Sequence, residues 1–127
     1  MATQAAEGEV VRILVVDDDR LIRRIMVDGL TDEGASCFEA SSGSEAIQAA
    51  AQFRPDVCIL DQNLPDMDGL SVLAAIKALP LQPMTRVYLL TGSEDESLSA
   101  KAKGAGASGV IRKPCTPADV MRLIMER

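Results

Sequence analysis

Histidine and tryptophan are both absent from this sequence of 127 residues. Without histidine the chain cannot build a Ser-His-Asp triad, a Cys-His dyad or most zinc sites. Any chemistry must therefore depend on carboxylates, hydroxyls and amines. Aromatic residues make up only 2 % of the chain, so valine, isoleucine, leucine, methionine and alanine must build its core.

Basic residues and long apolar runs are also scarce. The chain has 13 Lys and Arg residues against 19 Asp and Glu residues, which is a formal net charge of −6. This balance argues against binding of nucleic acid or of an anionic membrane surface. No apolar run is long enough for a transmembrane helix, and the opening MATQAAEGE lacks the basic and apolar regions of a signal peptide. We therefore expect a cytoplasmic protein.

The length of the chain fits one domain. We expect residues 1–10 to form a flexible N-terminal tail and residues 11–127 to form the folded domain. Cys37, Cys58 and Cys115 are not spaced as metal ligands. Because unpaired core thiols are common in cytosolic proteins, we expect all three cysteines to be reduced.

Short apolar runs alternate with longer segments that carry apolar residues at helical spacing. The first such helical segment has its stripe at Leu21, Ile25, Met26 and Leu30. The predicted strands are 11–16, 35–40, 56–60, 85–90 and 108–112, and the predicted helices are 20–33, 42–53, 69–79, 94–103 and 117–126. This alternation predicts an α/β fold, a doubly wound parallel sheet of five strands with helices on both faces.

Polar residues follow four of the five predicted strands. They are Asp17 and Asp18 after the first strand, Asp61 and Asn63 after the third, Thr91 after the fourth and Lys113 after the fifth. Ligand sites in such sheets form outside the carboxyl ends of the strands, so we expect these side chains to lie close together.

Three converging carboxylates repel one another unless a cation lies between them. Mg²⁺ is suited to this role because it prefers oxygen ligands and keeps several waters. Lys113 would add a second positive charge and Thr91 a hydroxyl donor, while Asp19 is expected to cap the first helix. Together these groups predict a pocket that stabilises a phosphoryl group.

At these residues the sequence resembles the receiver domains of two-component response regulators. The resemblance extends from Val11 to Glu126. It depends on VVDD (15–18), LDQNLPDMDG (60–69), LLTG (89–92) and RKP (112–114), in that order. It implies that residues 11–127 are a receiver domain with a flavodoxin-like sheet in the strand order 2-1-3-4-5.

The resemblance also implies a phosphoacceptor. Asp61 would take a phosphoryl group from a phosphohistidine of a histidine kinase or a histidine phosphotransfer protein. Thr91 and Lys113 would each contact a phosphoryl oxygen, and the bond from Lys113 to Pro114 would be cis. The domain would assist its own phosphorylation and dephosphorylation without being an enzyme in the usual sense. It would signal to a downstream effector protein or domain.

A metal site is implied by the same resemblance. Asp18 and Asp61 would bind Mg²⁺ directly, Asp17 would bind it through water, and Asn63 would offer its backbone carbonyl.

The sequence departs from the family pattern at two positions. Val110 stands where members that signal through an aromatic switch carry Tyr or Phe, and Cys115 replaces a common Phe. These departures concern the output mechanism rather than the phosphorylation. Two alternatives stay open: a binding scaffold that signals without phosphate, and a Mg²⁺-dependent phosphohydrolase acting on small molecules.

Overall fold

The strands and helices alternate along the chain as the sequence predicts. The computed structural model describes residues 10–80 and 85–126, so residues 1–9 of the predicted tail and Arg127 lie outside the described residues. The strands are β1 (Arg12–Val16), β2 (Ser36–Ala40), β3 (Val57–Asp61), β4 (Arg86–Thr91) and β5 (Gly109–Arg112). The helices are α1 (Arg20–Asp32), α2 (Gly43–Phe53), α3 (Gly69–Lys77), α4 (Glu96–Gly104) and α5 (Pro117–Glu126).

The strands form one parallel sheet in the order β2-β1-β3-β4-β5, which confirms the predicted topology. The register aligns Val16 with Leu60, and Leu60 with Leu89. On the other side of β4, Thr91 is aligned with Arg112. All strands therefore end at the same edge of the sheet, and the residues that follow them meet there.

Each face of the sheet carries its own core. One face packs against α1 and α5, with Ile59, Leu30 and Ile124 among its fully buried side chains. The other face packs against α2, α3 and α4. All five residues of β3 are buried, which matches the apolar run expected of a central parallel strand.

The apolar stripe predicted for α1 is only partly buried. Met26 and Leu30 face the sheet, but Leu21 is 69 % exposed and Ile25 is 56 % exposed. Successive helical residues are turned by about 100°. Leu21 and Ile25 therefore lie on the side of α1 that faces solvent, away from the face that carries Met26 and Leu30. The spacing of four between Leu21 and Ile25 is helical, but it does not identify the face that packs.

Close packing of α1 against α5 depends on a glycine. A Cβ added at Gly29 would lie 2.3 Å from Cγ of Pro117, the first residue of α5.

All three cysteines are free thiols, as expected. Within residues 10–80 and 85–126, no helix has both the length and the apolar character needed to cross a bilayer.

Candidate functional site

Three carboxylates converge at the carboxyl edge of the sheet. Asp17 and Asp18 follow β1, and Asp61 is the last residue of the neighbouring strand β3. One carboxylate oxygen from each lies within 4.8 Å of the other two. Asp17 and Asp61 are buried, at 6 % and 5 % exposure, whereas Asp18 is exposed. The predicted convergence of the three acids is therefore present in the structure.

Asp17 is held by hydrogen bonds on several sides. Its N–H donates to the carbonyl of Ala40 at 3.1 Å, and its Oδ1 accepts the N–H of Asp19 at 2.9 Å. Asp19 in turn accepts the N–H groups of Leu21 and Ile22, so it is the N-cap of α1, as predicted. Hydrogen bonds within the turn and to the end of β2 thus fix Asp17 and Asp19.

The electrostatics of this cluster are unfavourable for a bare carboxylate. Burial raises the pKa of Asp17, and the negative charges of Asp61 and Asp18 add to that shift. The hydrogen bond from Asp19 and the charge of Lys113 offset it in part. A cation bound between the acids would remove this cost.

Lys113 supplies a positive charge to the cluster. Its Nζ donates a hydrogen bond to Oδ1 of Asp61 at 2.9 Å. Burial alone would lower the pKa of Lys113, but the hydrogen bond and charge of Asp61, together with the charge of Asp17, raise the pKa overall. The N–H of Lys113 also bonds the carbonyl of Thr91 at 2.8 Å, and its peptide bond to Pro114 is cis, as predicted.

Thr91 ends β4 and is buried, with 4 % exposure. It follows Leu90, the register partner of Asp61. Its Oγ1 accepts the N–H of Ser93 at 3.0 Å, which leaves the hydroxyl proton available to donate. The side chain therefore lies on the strand next to Asp61 and retains a donor for an incoming oxygen.

Asn63 lies in the connection from β3 to α3. It pairs with Asp68 in an isolated antiparallel bridge, and Asp68 caps α3 through the N–H of Ser71 at 2.8 Å. A further bond of 2.8 Å joins the N–H of Gly69 to the carbonyl of Gln62. These bonds define the backbone directly after Asp61, where the family resemblance implies a carbonyl ligand.

The residues Val110 and Cys115, which depart from the family pattern, both line cavities near the site. Val110 borders a cavity of about 520 Å³ beside Thr91 and Ser93. Cys115 borders a cleft of about 390 Å³ beside Asp17 and Lys113. At both positions the structure thus has open space beside the smaller side chain.

Two contacts of the site were not anticipated from the sequence. Arg23 of α1 donates to the carbonyl of Asp17 at 2.8 Å. Asp66 accepts the N–H groups of Gly43 and Ser44 at 2.7 and 3.0 Å, which joins the β3–α3 connection to the start of α2. The spacing of six residues between Asp17 and Arg23 carries no recognisable signal, and Asp66 is indistinguishable from an ordinary turn residue.

A family model described as the response regulator receiver domain matches residues 13–125. The chain is a member of the response regulator receiver family. The match runs from β1 into α5, so every strand end discussed above falls within the receiver domain.

Relatives of this receiver domain belong to proteins of different kinds. The transcriptional regulatory protein KdpE of Mycobacterium tuberculosis is 39 % identical over 102 residues. The protein-glutamate methylesterase/protein-glutamine glutaminase of Archaeoglobus fulgidus is 38 % identical over 104 residues. These alignments cover 80 % and 81 % of this chain but 44 % and 30 % of the relatives. The chain thus spans less than half the length of either protein.

Solved structures share the architecture of this receiver domain. The chemotaxis response regulator CheY4 of Vibrio cholerae matches with a TM-score of 0.86 at 29 % identity, covering 93 % of this chain and 98 % of that chain. The likeness agrees with the strand order read from the sheet and confirms the predicted doubly wound fold.

Proposed function

We propose that this receiver domain accepts a phosphoryl group on Asp61 from a phosphohistidine, in a reaction that depends on Mg²⁺. The observation that carries the proposal is the pairing of Asp61 with Lys113 at 2.9 Å inside the cluster formed with Asp17 and Asp18. One carboxylate is thereby surrounded by two acids and one amine. That combination suits a group that binds a divalent cation and then a phosphoryl group.

The residues would divide the chemistry among them. A carboxylate oxygen of Asp61 attacks phosphorus, a new P–O bond forms, and the P–N bond of the donor breaks with its electron pair going to the imidazole nitrogen. Lys113 pairs with one phosphoryl oxygen and the Thr91 hydroxyl donates to another. These donors are held before the reaction and stabilise charge on the transferring group.

The donor set fits magnesium. The side-chain ligands are all carboxylate oxygens, and two of the three acids are buried. Asp18 and Asp61 would bind directly, Asp17 through water, and Asn63 through its backbone carbonyl, with other positions left to water and phosphoryl oxygen. Mg²⁺, when bound, neutralises carboxylate charge and polarises the phosphoryl oxygens.

The donor histidine must lie in another protein or in another domain, because these 127 residues contain none. A histidine kinase or a histidine phosphotransfer protein supplies the required chemistry. The output would be passed to an effector protein or domain, as the range of relatives from a transcriptional regulator to a methylesterase suggests. We propose a cytoplasmic phosphorelay component that assists its own phosphorylation and dephosphorylation and turns over no separate substrate.

The test uses a small phosphodonor. The full chain is incubated with acetyl phosphate and Mg²⁺, and the adduct is mapped by mass spectrometry. We expect one phosphoryl group on Asp61, none on Asp61→Asn, and wild-type labelling of Asp32→Asn, which removes an exposed acid at the end of α1. An adduct on another residue, or labelling that persists without divalent cation, would contradict the assignment.

A scaffold that signals without phosphate is the second candidate. The open cavity beside Val110 favours it, because the aromatic side chain of the usual switch has no counterpart there. A pull-down with and without beryllofluoride, an analogue of the phosphoryl group, separates the two. A phosphorylated switch predicts partners that depend on beryllofluoride, whereas a scaffold predicts the same partners in both samples.

A further inference from the structure

Arg23 lies at the end of the first turn of α1, and its side chain reaches back toward the acidic turn. Its side chain is 15 % exposed, in contrast to the neighbouring Arg24 at 58 %. One terminal nitrogen donates to the backbone carbonyl of Asp17 at 2.8 Å, and Nε donates to Glu39 at 2.9 Å. A single guanidinium therefore joins the end of β2 to the first residue of the acidic cluster.

These bonds complete the restraint on Asp17. The N–H of Asp17 is bonded to Ala40, its carbonyl to Arg23, and its Oδ1 to the N–H of Asp19. Rotation of the peptide plane after Asp17 would also turn Asp18, since that plane joins the two residues. Loss of the Arg23 bond would therefore loosen both carboxylates that β1 contributes to the cluster.

The charge of Arg23 is already matched by another group. Glu39 accepts from Arg23 through one oxygen and from Arg24 through the other, at 2.9 and 3.0 Å. The two arginines thus share Glu39, and Arg24 also pairs with Asp28 at 3.0 Å, but of the two only Arg23 bonds the acidic turn. The planar guanidinium can bridge two acceptors in fixed directions, which an ammonium on a flexible stem does poorly.

We propose that Arg23 is a positioning residue that holds Asp17 and Asp18 in the geometry needed to bind a divalent cation. The inference rests on the proposed function, because it takes the acidic cluster as the Mg²⁺ site. Residues that orient metal ligands typically change metal affinity by about 10- to 100-fold when they are replaced. An effect of that size is well within reach of titration.

The experiment measures Mg²⁺ affinity by isothermal titration calorimetry at fixed ionic strength, on the full chain. Arg23→Gln is expected to weaken binding by about tenfold or more. Arg23→Lys keeps the charge but not the planar guanidinium that bridges two acceptors, and it is expected to show a similar loss of Mg²⁺ affinity. Arg24→Gln makes the same change of charge beside the same Glu39 without a bond to Asp17, and is expected to stay within about twofold of wild type.

A second readout separates positioning from general damage to the fold. At saturating Mg²⁺, acetyl phosphate should label Asp61 of Arg23→Gln at close to the wild-type rate, with the Mg²⁺ dependence displaced to higher concentration. A merely structural role would lower the rate at all concentrations. If Arg23→Gln does not fold, Arg23→Lys decides the matter alone.

Three outcomes would overturn the inference: unchanged affinity in Arg23→Gln, an equal loss in Arg24→Gln, or full rescue by lysine. In each of them the wild-type chain still binds Mg²⁺ and is labelled on Asp61, so the proposed function stands. A wild-type chain that binds no Mg²⁺ and takes no label overturns the proposed function itself.

Discussion

The acidic cluster makes a sharp prediction for Asp17→Asn. Asparagine keeps the size of the side chain and an oxygen that can accept the N–H of Asp19, but it removes one negative charge from a buried position. We expect the variant to be more stable than wild type in the absence of divalent cation. We also expect it to lose most of the stabilisation that Mg²⁺ provides to wild type.

The magnitude follows from the distances. Two unit charges 4.8 Å apart interact by about 3.5 kcal/mol at an effective dielectric constant of about 20. Asp17 is repelled by Asp61 and Asp18 and attracted by Lys113. Water around the exposed Asp18 weakens one of the repulsions. A net gain of about 1 to 2 kcal/mol on removing the charge is therefore expected, or about 4 to 8 °C in melting temperature.

The assay is thermal unfolding with and without MgCl₂, followed by circular dichroism. A cation at ten times its dissociation constant stabilises a protein that binds it only when folded by about 1.4 kcal/mol. Saturating Mg²⁺ should therefore remove most of the difference in free energy of unfolding between wild type and Asp17→Asn. Asp32→Asn serves as the control and should change the free energy of unfolding by less than about 0.5 kcal/mol. An Asp17→Asn variant that is no more stable than wild type without Mg²⁺, or that keeps the full response to Mg²⁺, would refute the reasoning.

Two further predictions concern packing and pH. Gly29→Ala would place a Cβ 2.3 Å from Pro117, so we expect a net loss of about 1 kcal/mol or more in urea unfolding, despite the better helix propensity of alanine. Gly104→Ala meets nothing within 4 Å and should gain up to about 1 kcal/mol; equal effects of both substitutions would contradict the packing argument. Two backbone N–H groups of α2 lower the pKa of Asp66 in the folded chain. The ionised Asp66 therefore contributes its full stabilisation at any pH above the pKa it has in the unfolded chain. That stabilisation is lost as the pH falls through the lower pKa of the folded chain. Asp66→Asn should therefore be less stable than wild type near pH 7, and the difference should shrink toward about pH 2; a difference independent of pH would exclude the ionic contribution.

Much of the fold was predictable because the strands are short, apolar and bounded by polar residues. β3 is buried on both faces, and its apolar run VCIL before Asp61 is typical of a central parallel strand. The site was predictable for a related reason. Parallel strands bring their carboxyl ends to one edge, so Asp17, Asp61, Thr91 and Lys113 had to meet once the strands were assigned.

Contacts that depend on the rotation of a helix were not predictable in the same way. The apolar residues of α1 are numerous enough to define more than one face, and only packing shows that Leu21 and Ile25 are exposed while Met26 is buried. Arg23 and Arg24 are equivalent in sequence, yet only the first reaches the carbonyl of Asp17. Which side chains of α1 are buried, and which arginine contacts Asp17, depends on how the helix packs against the sheet.

The amine of the site, on Lys113, directly follows β5, which is one of the two edge strands of the sheet. β5 has four residues, pairs only with β4 among the described strands, and has one buried residue, Ile111. Short edge strands open locally at a smaller free-energy cost than central strands. Each such opening would withdraw the ammonium of Lys113 while the acids on the central strands stay in place. The readiness of the pocket for a phosphoryl group would therefore depend on local opening of this edge strand, and a partner that docks against that edge would tune it without touching an acid.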